Sequence, residues 1–128
     1  MSLEEKAKAL DKLVKGLNGK VLVVEGKHDV NALRQFGLNN RVFTATGKPE
    51  RVITRVTETK APVVLLFDFD EEGKRKTKFF QQRFLLEGTI ADVETGKRLK
   101  ALLGLRTIEE LNSKYEELLR ELKNKKVN

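Results

Sequence analysis

The sequence predicts an α/β fold in which helices cover both faces of a central, mostly parallel sheet of about four strands. Short apolar runs such as VLVV and VVLLF contain no polar alternation, which is typical of strands buried on both faces. Segments with helical spacing of their apolar residues lie between these runs. Because right-handed crossovers return each strand beside its predecessors, this alternation indicates a parallel sheet.

The first predicted element is a helix over residues 3–17. Its apolar residues recur at helical spacing. Ser2 and Glu5 form a candidate capping box at its start, and either Gly16 or Gly19 is suited to end it. The chain therefore begins with an amphipathic helix before the first strand.

The first strand and the helix after it come next. The run KVLVV predicts a buried strand that stops at Glu25 and Gly26. The segment HDVNALRQFG then has helical spacing of its apolar residues and reaches its stop at Gly37. The chain thus passes from the end of a strand directly into a helix.

The same pattern repeats in the middle of the chain. RVFTA predicts a second strand, and Pro49 fits the first turn of the helix that follows. APVVLLF predicts a third strand, again without polar alternation, and two acids, Asp68 and Asp70, come directly after it.

Three shorter elements are predicted after the third strand. A helix carries Phe80 and Phe84, which are four residues apart and so share a face. TIADV predicts a short fourth strand, and GKRLKALLG a short helix. The sheet is therefore expected to have about four strands.

A C-terminal helix is predicted over residues 107–123. Thr107 and Glu110 form a second candidate capping box at its start. Tyr115, the only tyrosine, lies on the apolar periodicity of this helix, which favours a packing role. Together the elements predict a single domain over residues 1–128.

Composition narrows the classes of protein and partner. The chain has 128 residues, 39% hydrophobic and 35% charged, which suits one folded domain rather than disorder. It has no cysteine, no apolar stretch near the roughly 20 residues of a membrane span, and no signal-peptide layout, so we expect a cytoplasmic protein without membrane contact. The net charge of +7 favours polyanionic partners such as nucleic acid.

Three acids are expected at one edge of the sheet. Glu25 ends the first strand, and Asp68 and Asp70 follow the third; in a Rossmann-like parallel sheet all three lie at the carboxyl edge, where ligands bind. If the first and third strands are neighbours and the chain stays extended, the carboxylates face one place. Their mutual repulsion would favour a hard divalent cation, for which Mg²⁺ is suited.

The residues around these acids resemble a known family. VVEGKHDVNALRQFG followed by LLFDFDEEGKR is similar to the Toprim domain of primases, type IA and type II topoisomerases, OLD-family nucleases and the ribonuclease that matures 5S ribosomal RNA. The similarity lies in Glu-Gly after one strand and in D-x-D with a glycine three residues beyond after another. Gly26 and Gly73 fill the glycine positions. The resemblance covers about residues 20–105 and implies a small, free-standing Toprim protein.

The resemblance also implies roles for the acids. Glu25 corresponds to the general acid or base and is a candidate metal contact, whereas Asp68 and Asp70 correspond to metal ligands. The implied metal is Mg²⁺, with Mn²⁺ as a substitute. Asp29 matches a weaker, primase-like acidic contact, although a charge that stabilises the N-terminus of a helix is the favoured role.

Basic residues follow the acids closely in sequence. Because the loops that carry them share the carboxyl edge, we expect them to hold a phosphate backbone, although a solvated helix face is the alternative for any one of them. His28, the only histidine, is given no catalytic role. The candidate phosphate-binding residues are Lys27, Lys48, Lys74, Arg75, Lys76 and Lys78.

These observations predict a Mg²⁺-dependent Toprim-type phosphotransfer protein that acts on nucleic acid, RNA or DNA, most simply as a nuclease or processing enzyme. Topoisomerase activity is not expected of this chain alone, since it shows no active-site tyrosine domain. A protein partner that supplies specificity is part of the hypothesis, and the oligomeric state is open because the terminal helices could cover the sheet or pair with another subunit.

Two alternatives are kept. A non-catalytic nucleic-acid-binding module would use Mg²⁺ only structurally. A phosphoaspartate protein, either receiver-like or phosphatase-like, is disfavoured: VVEGK offers one acid where receivers need an adjacent pair, and Asp70 is followed by Glu71 and Glu72 where the phosphatase motif has threonine.

Overall fold

The structure is a computed structural model that describes residues 1–127, so Asn128, the end of the predicted domain, lies outside the described residues. Helices lie on both sides of a short parallel sheet. The elements follow in the order α1 (Leu3–Lys15), β1 (Val21–Val24), α2 (Lys27–Phe36), β2 (Val42–Thr44), α3 (Pro49–Glu58), β3 (Val63–Leu65), α4 (Glu71–Leu86), α5 (Glu94–Leu103), a 3₁₀ turn (Ile108–Glu110) and α6 (Leu111–Val127).

The sheet has the strand order β2-β1-β3, and both pairs are parallel. Leu22 of β1 is in register with Val42 on one side and with Val64 on the other. The α/β prediction is therefore confirmed, and so is the hypothesis that the first and third strands are neighbours.

The sheet separates two hydrophobic clusters. Leu22 and Val24 of β1 point to the side covered by α1, α2, α5 and α6, whereas Val21 and Val23 point to the side covered by α3 and α4. All four side chains are buried. A run without polar alternation is therefore explained by helices on both faces, as expected for a parallel sheet.

The prediction of a fourth strand was wrong, because the segment TIADV forms only a single parallel bridge between Val64 and Asp92. The backbone of Asp92 still pairs with β3, donating to Val63 O at 2.8 Å and accepting from Leu65 N at 2.9 Å. Its side chain, however, accepts from the amides of Glu94 at 2.9 Å and Thr95 at 3.2 Å. This cap turns the chain into α5 at once, so the described sheet has three strands.

The capping signals in the sequence are present in the structure. Ser2 and Glu5 form a reciprocal box at the start of α1, with both hydrogen bonds at 3.1 Å, and the helix ends with Gly16 as its cap. The box of Thr107 and Glu110 is also present, but it begins the 3₁₀ turn, and α6 starts only at Leu111. Along residues 1–127, no helix is long and apolar enough to cross a membrane.

Candidate functional site

The candidate site lies at the carboxyl edge of the sheet. Glu25 is the first residue after β1, and Asp68 lies three residues beyond the end of β3. Because β1 and β3 are parallel neighbours, with Val23 in register with Leu65, both acids are brought to the same edge. The strand order thus produces the contact that sequence spacing alone could not establish.

Glu25 and Asp68 are in contact. The Asp68 amide donates to Glu25 Oε2 at 3.4 Å, and Asp68 Oδ1 accepts from the Ile108 amide at 3.2 Å. Burial of the carboxyl group, together with the adjacent Glu25 carboxylate, raises the pKa of Asp68 to about 7. A cation placed at this pair would therefore relieve an unfavourable concentration of negative charge.

One cation from the protein already contacts the pair. Lys76 Nζ lies 3.1 Å from Glu25 Oε1, and both side chains are partly buried. Lys76 belongs to the second turn of α4, so this helix delivers an ammonium group to the end of β1. Of the six bases predicted from sequence, Lys76 is the one that makes an ion pair with a predicted acid in the described part of the chain.

Asp70 has a different environment from Asp68. It is the N-cap of α4, and its Oδ1 accepts from the Gly73 amide at 2.7 Å. The chain between the two acids does not keep strand alternation, because Phe67 and Phe69 pack into different clusters on opposite sides of the sheet. The extended geometry that would make both carboxylates face one place is therefore not maintained here.

Gly73 allows α4 to approach the end of β3. A Cβ atom at this position would lie 1.9 Å from the carbonyl oxygen of Asp68 and 2.5 Å from its carbonyl carbon. Both are backbone atoms, so the clash could not be relieved by a rotamer change. Glycine is thus required for the first turn of α4 to lie against the backbone of Asp68.

Asp29 is buried at the start of α2. Its Oδ2 accepts from the Gly26 amide at 3.0 Å, and only 7% of its surface is exposed. Burial raises the pKa of its carboxyl group, and the charges of Glu109 and Glu25 act in the same direction. The favoured structural role, a charge that stabilises the first turn of a helix, fits this hydrogen bond.

The remaining predicted bases surround this edge without contacting the acid pair. Lys27 and Lys48 are exposed at the beginnings of α2 and α3, respectively. Lys74, Arg75 and Lys78 are exposed on α4, and Lys74 lies 3.6 Å from Glu71. Their place near the edge is compatible with the predicted phosphate contacts, which stay a prediction.

Two contributors to the site were missed by sequence analysis. The Ile108 amide donates to Asp68, and the Glu109 charge acts on Asp29 across the fold. Both residues belong to the 3₁₀ turn, whose capping box was visible in the sequence. The box predicted a helix start, but no local signal indicated that this start would lie against the carboxyl edge.

The acid pair fits a hard divalent cation better than the full predicted triad does. Within residues 1–127 no three acidic or histidine side chains are grouped so that they could hold a metal ion. Mg²⁺ is commonly bound through one or two carboxylates and keeps several waters, which suits a pair. Glu25 and Asp68 are the residues that would hold it, and a role for Asp70 as a ligand stays a prediction.

Comparisons with known proteins agree with these features. A sequence profile of the Toprim domain matches residues 19–93, which include all the acids and bases predicted for the site. A UPF0292 protein of Archaeoglobus fulgidus is 32% identical over 113 residues, 86% of this chain and 89% of that protein. A DNA primase of Pseudomonas putida is 34% identical over 83 residues, 64% of this chain but 12% of the primase.

A solved structure is also similar. A putative protein from Aquifex aeolicus superposes with a TM-score of 0.66 and 31% sequence identity, over 85% of this chain and 97% of that one. The profile covers more than half of the chain and contains both strand ends that carry the acids. The chain therefore belongs to the Toprim domain family.

Proposed function

We propose that this protein is a Mg²⁺-dependent phosphotransfer enzyme that cleaves or processes nucleic acid. Membership of the Toprim family indicates a nucleic-acid-related, metal-binding function in general terms. The observation that carries the finer proposal is the contact between Glu25 and Asp68 at the carboxyl edge, with Asp68 Oδ1 held by an amide from a distant turn. Two carboxylates at this edge are suited to phosphodiester chemistry.

Each member of the site has a proposed role. A bound Mg²⁺ would supply charge neutralisation and polarisation of a phosphoryl oxygen. Glu25 is the candidate to accept a proton from the attacking hydroxyl group or donate one to the leaving group. Lys76, which contacts Glu25 at 3.1 Å, orients that carboxylate and contributes positive charge where the phosphate would lie.

The charge around the site supports a polyanionic substrate. Lys74, Arg75 and Lys78 are exposed on the helix that also supplies Lys76. Phosphate contacts from such side chains position a nucleic acid without reading its sequence. Specificity would then come from the shape of the substrate or from a protein partner, and either RNA or DNA fits this surface.

The proposal is tested by cleavage of labelled single- and double-stranded DNAs and structured RNAs in Mg²⁺, Mn²⁺ or EDTA. Glu25→Gln and Asp68→Asn keep the size of each side chain but remove its charge. Each should lower the rate by at least about 100-fold. Glu87→Gln, an exposed carboxylate beyond the other end of α4, is the matched control and should leave the rate unchanged.

Metal-dependent product that is lost in both site variants and retained in the control would support the proposal and identify the polymer. Product that persists in Glu25→Gln and Asp68→Asn at the wild-type rate would reject catalysis at this pair. The rate in EDTA separates metal-dependent cleavage from a contaminating nuclease that needs no metal.

One observation favours a second candidate, a non-catalytic nucleic-acid-binding module. Glu25 already pairs with Lys76, and Asp70 already caps α4, so both acids have structural partners. This module would bind the same polymers in a salt-dependent manner. Binding that survives Asp68→Asn, with no product from highly purified wild-type protein, would favour it over the enzyme.

A further inference from the structure

A cavity of about 580 Å³ lies between α4 and α5, beside β3 at the edge of the sheet. Its apolar lining, called the floor here, consists of the partly exposed Phe69 and Val93, with the buried Leu65 and Phe67 of the β3 segment behind them. Its volume is within the range of about 300–1,000 Å³ that is typical of small-molecule sites in proteins. The cavity is thus large enough to hold a compact organic ligand.

Two helix faces line the walls of this cavity. Its lining residues on α4 recur with the spacing i, i+3, i+4, i+7, and the same spacing is found at and just before α5. Each helix therefore presents one continuous face to the cavity. The residues on these two faces are Lys74, Thr77, Lys78 and Gln81 from α4, and Val93, Gly96, Lys97 and Lys100 from the α5 segment.

The walls are strongly cationic. Four lysines line the cavity, two on each helix, against one acid, Asp68. Lys100 Nζ also lies 5.7 Å from the centre of the Phe69 ring, so an ammonium group and an aromatic ring border the same space. Lys74 and Lys97 also contact exposed acids of their own helices, Glu71 at 3.6 Å and Glu94 at 3.4 Å. Within the described residues Lys78 and Lys100 make no salt bridge, so an anion between the helices would meet two cations that have no acidic partner.

We propose that this cavity binds one nucleotide, with the base against the apolar floor and the phosphate between the two pairs of lysines. An apolar floor with an aromatic residue favours a planar base, whereas the lysines require a negative charge. A free inorganic anion would leave the floor unused, and an apolar ligand would leave Lys78 and Lys100 without an anionic partner. A nucleotide satisfies both parts of the cavity.

This proposal deepens the proposed function and rests on it for the role of the bound nucleotide. Asp68 borders the cavity and also contacts Glu25, so a nucleotide here would lie beside the acid pair. Lys97 and Lys100 lie beyond the residues matched by the family profile, which end at 93. The α5 wall of the cavity therefore lies outside the part of the chain that the profile covers, and the cavity is a candidate source of substrate selection.

Binding is measured by ¹H–¹⁵N NMR titration in EDTA, so that no turnover is needed. The probes are a nucleoside 5′-monophosphate, the corresponding nucleoside and inorganic phosphate. We expect saturable shifts of the Val93, Gly96 and Lys97 amides with the nucleotide, and binding at least about tenfold weaker for the nucleoside and for phosphate. Equal binding of inorganic phosphate would overturn the assignment, because the base would then contribute nothing.

Charge variants test the location. Lys97→Ala/Lys100→Ala removes one wall of cations and should weaken nucleotide binding by at least about tenfold. Lys8→Ala/Lys123→Ala removes the same charge from helices α1 and α6, which contribute no residue to the cavity, and should leave it unchanged. If the two double variants weaken nucleotide binding equally, general electrostatic attraction explains the binding and the cavity is rejected as its site.

The length of the ligand distinguishes a free nucleotide from one unit of a nucleic-acid polymer. Mononucleotide binding equal to that of short oligonucleotides would assign a free nucleotide, whereas binding that increases with chain length would assign one unit of a polymer; both outcomes support the cavity. Glu25→Gln, titrated in the same way, separates the cavity from the enzyme, because Glu25 does not line the cavity and its loss should leave nucleotide binding unchanged. If the wild-type protein binds the nucleotide but cleaves no polymer, the cavity is supported and the enzyme is rejected. If it cleaves a polymer but binds no nucleotide, the enzyme is supported and the cavity is rejected.

Discussion

At the scale of single residues, the two aspartates of the D-x-D motif have separate structural roles. Asp68 accepts from the Ile108 amide and lies against Glu25, and its pKa is raised to about 7 by burial and by that neighbour. Asp70 instead caps α4 through the Gly73 amide. The motif therefore combines an electrostatically unfavourable carboxylate, suited to a cation, with one that begins the following helix.

Two substitutions separate the structural contribution of Asp70 from its chemical contribution. Asp70→Ala removes the cap and should lower the free energy of unfolding by about 1 kcal/mol, whereas Asp70→Asn keeps an oxygen acceptor and should change it by less than about 0.5 kcal/mol. If Asp70 is also a metal ligand, Asp70→Asn should still abolish metal-dependent cleavage. Urea unfolding and the cleavage assay measure the two effects, and a stable, fully active Asp70→Asn would leave Asp70 a cap alone.

At the scale of elements, the sequence predicted the features that depend on neighbouring residues, such as helix caps, but not those that depend on distant residues, such as the extent of the sheet. The capping boxes at Ser2 and Thr107 and the stop at Gly37, which has φ of +102°, depend on neighbours in sequence, so the sequence predicted them. TIADV failed as a strand because the Asp92 side chain caps α5, which competes with sheet pairing at the same residues.

The site shows the same division. Glu25 and Asp68 were predicted because each comes at the end of an apolar run, which places it at the carboxyl edge of any parallel sheet. The amide of Ile108 could not be predicted, since it reaches Asp68 from 40 residues away. The lysines of α5 were given no role from the sequence, because nothing in it indicates that they line a cavity beside β3.

The 3₁₀ turn Ile108–Glu110 links element stability to the site. Glu110 Oε1 accepts from the amides of Arg106 at 2.7 Å and Thr107 at 3.0 Å, and these hydrogen bonds lower the pKa of its carboxyl group. The same turn presents the Ile108 amide to Asp68. The capping box thus holds one support of the candidate site.

Glu110→Ala should lower the free energy of unfolding by about 1 kcal/mol near neutral pH. Because the folded-state pKa is below the ordinary value of 4.5, the contribution of the charge is present above that value and is lost as pH falls through the folded-state pKa. The difference from wild type should therefore shrink in acid. Urea unfolding near neutral and at acidic pH measures it, with the exposed Glu116→Ala as control; a difference that does not change with pH would exclude the charge as its cause.

At the scale of the whole molecule, exposed bases from several helices lie where the sheet ends. The net charge is +7, and exposed bases lie at the beginnings of α2, α3 and α4, all of which start from the carboxyl edge. A parallel sheet brings these helix starts to one side, since every strand points to the same edge and every following helix begins there. A nucleic acid lying across that edge would meet bases from several elements around the acid pair.

Salt dependence tests this arrangement. Each phosphate that a side chain neutralises contributes about 0.7 to the slope of log K against log salt for a single strand. The triple variant Lys74→Ala/Arg75→Ala/Lys78→Ala should therefore make the slope shallower by about 2. Fluorescence anisotropy of a labelled oligonucleotide, measured in EDTA over a range of salt concentrations, gives the slope without cleavage.

The salt-dependence measurement needs a control that separates the position of the positive charges from the net charge of the protein. Lys8→Ala/Lys12→Ala/Lys123→Ala has the same net charge as the α4 variant, but its substitutions lie on α1 and α6. If the carboxyl edge holds the phosphates, the slope of this control stays near that of wild type, because counterions are released only where a phosphate is contacted. Equal slopes for the two variants would mean that net charge alone attracts the polymer, and the phosphate path along α4 would have to be abandoned.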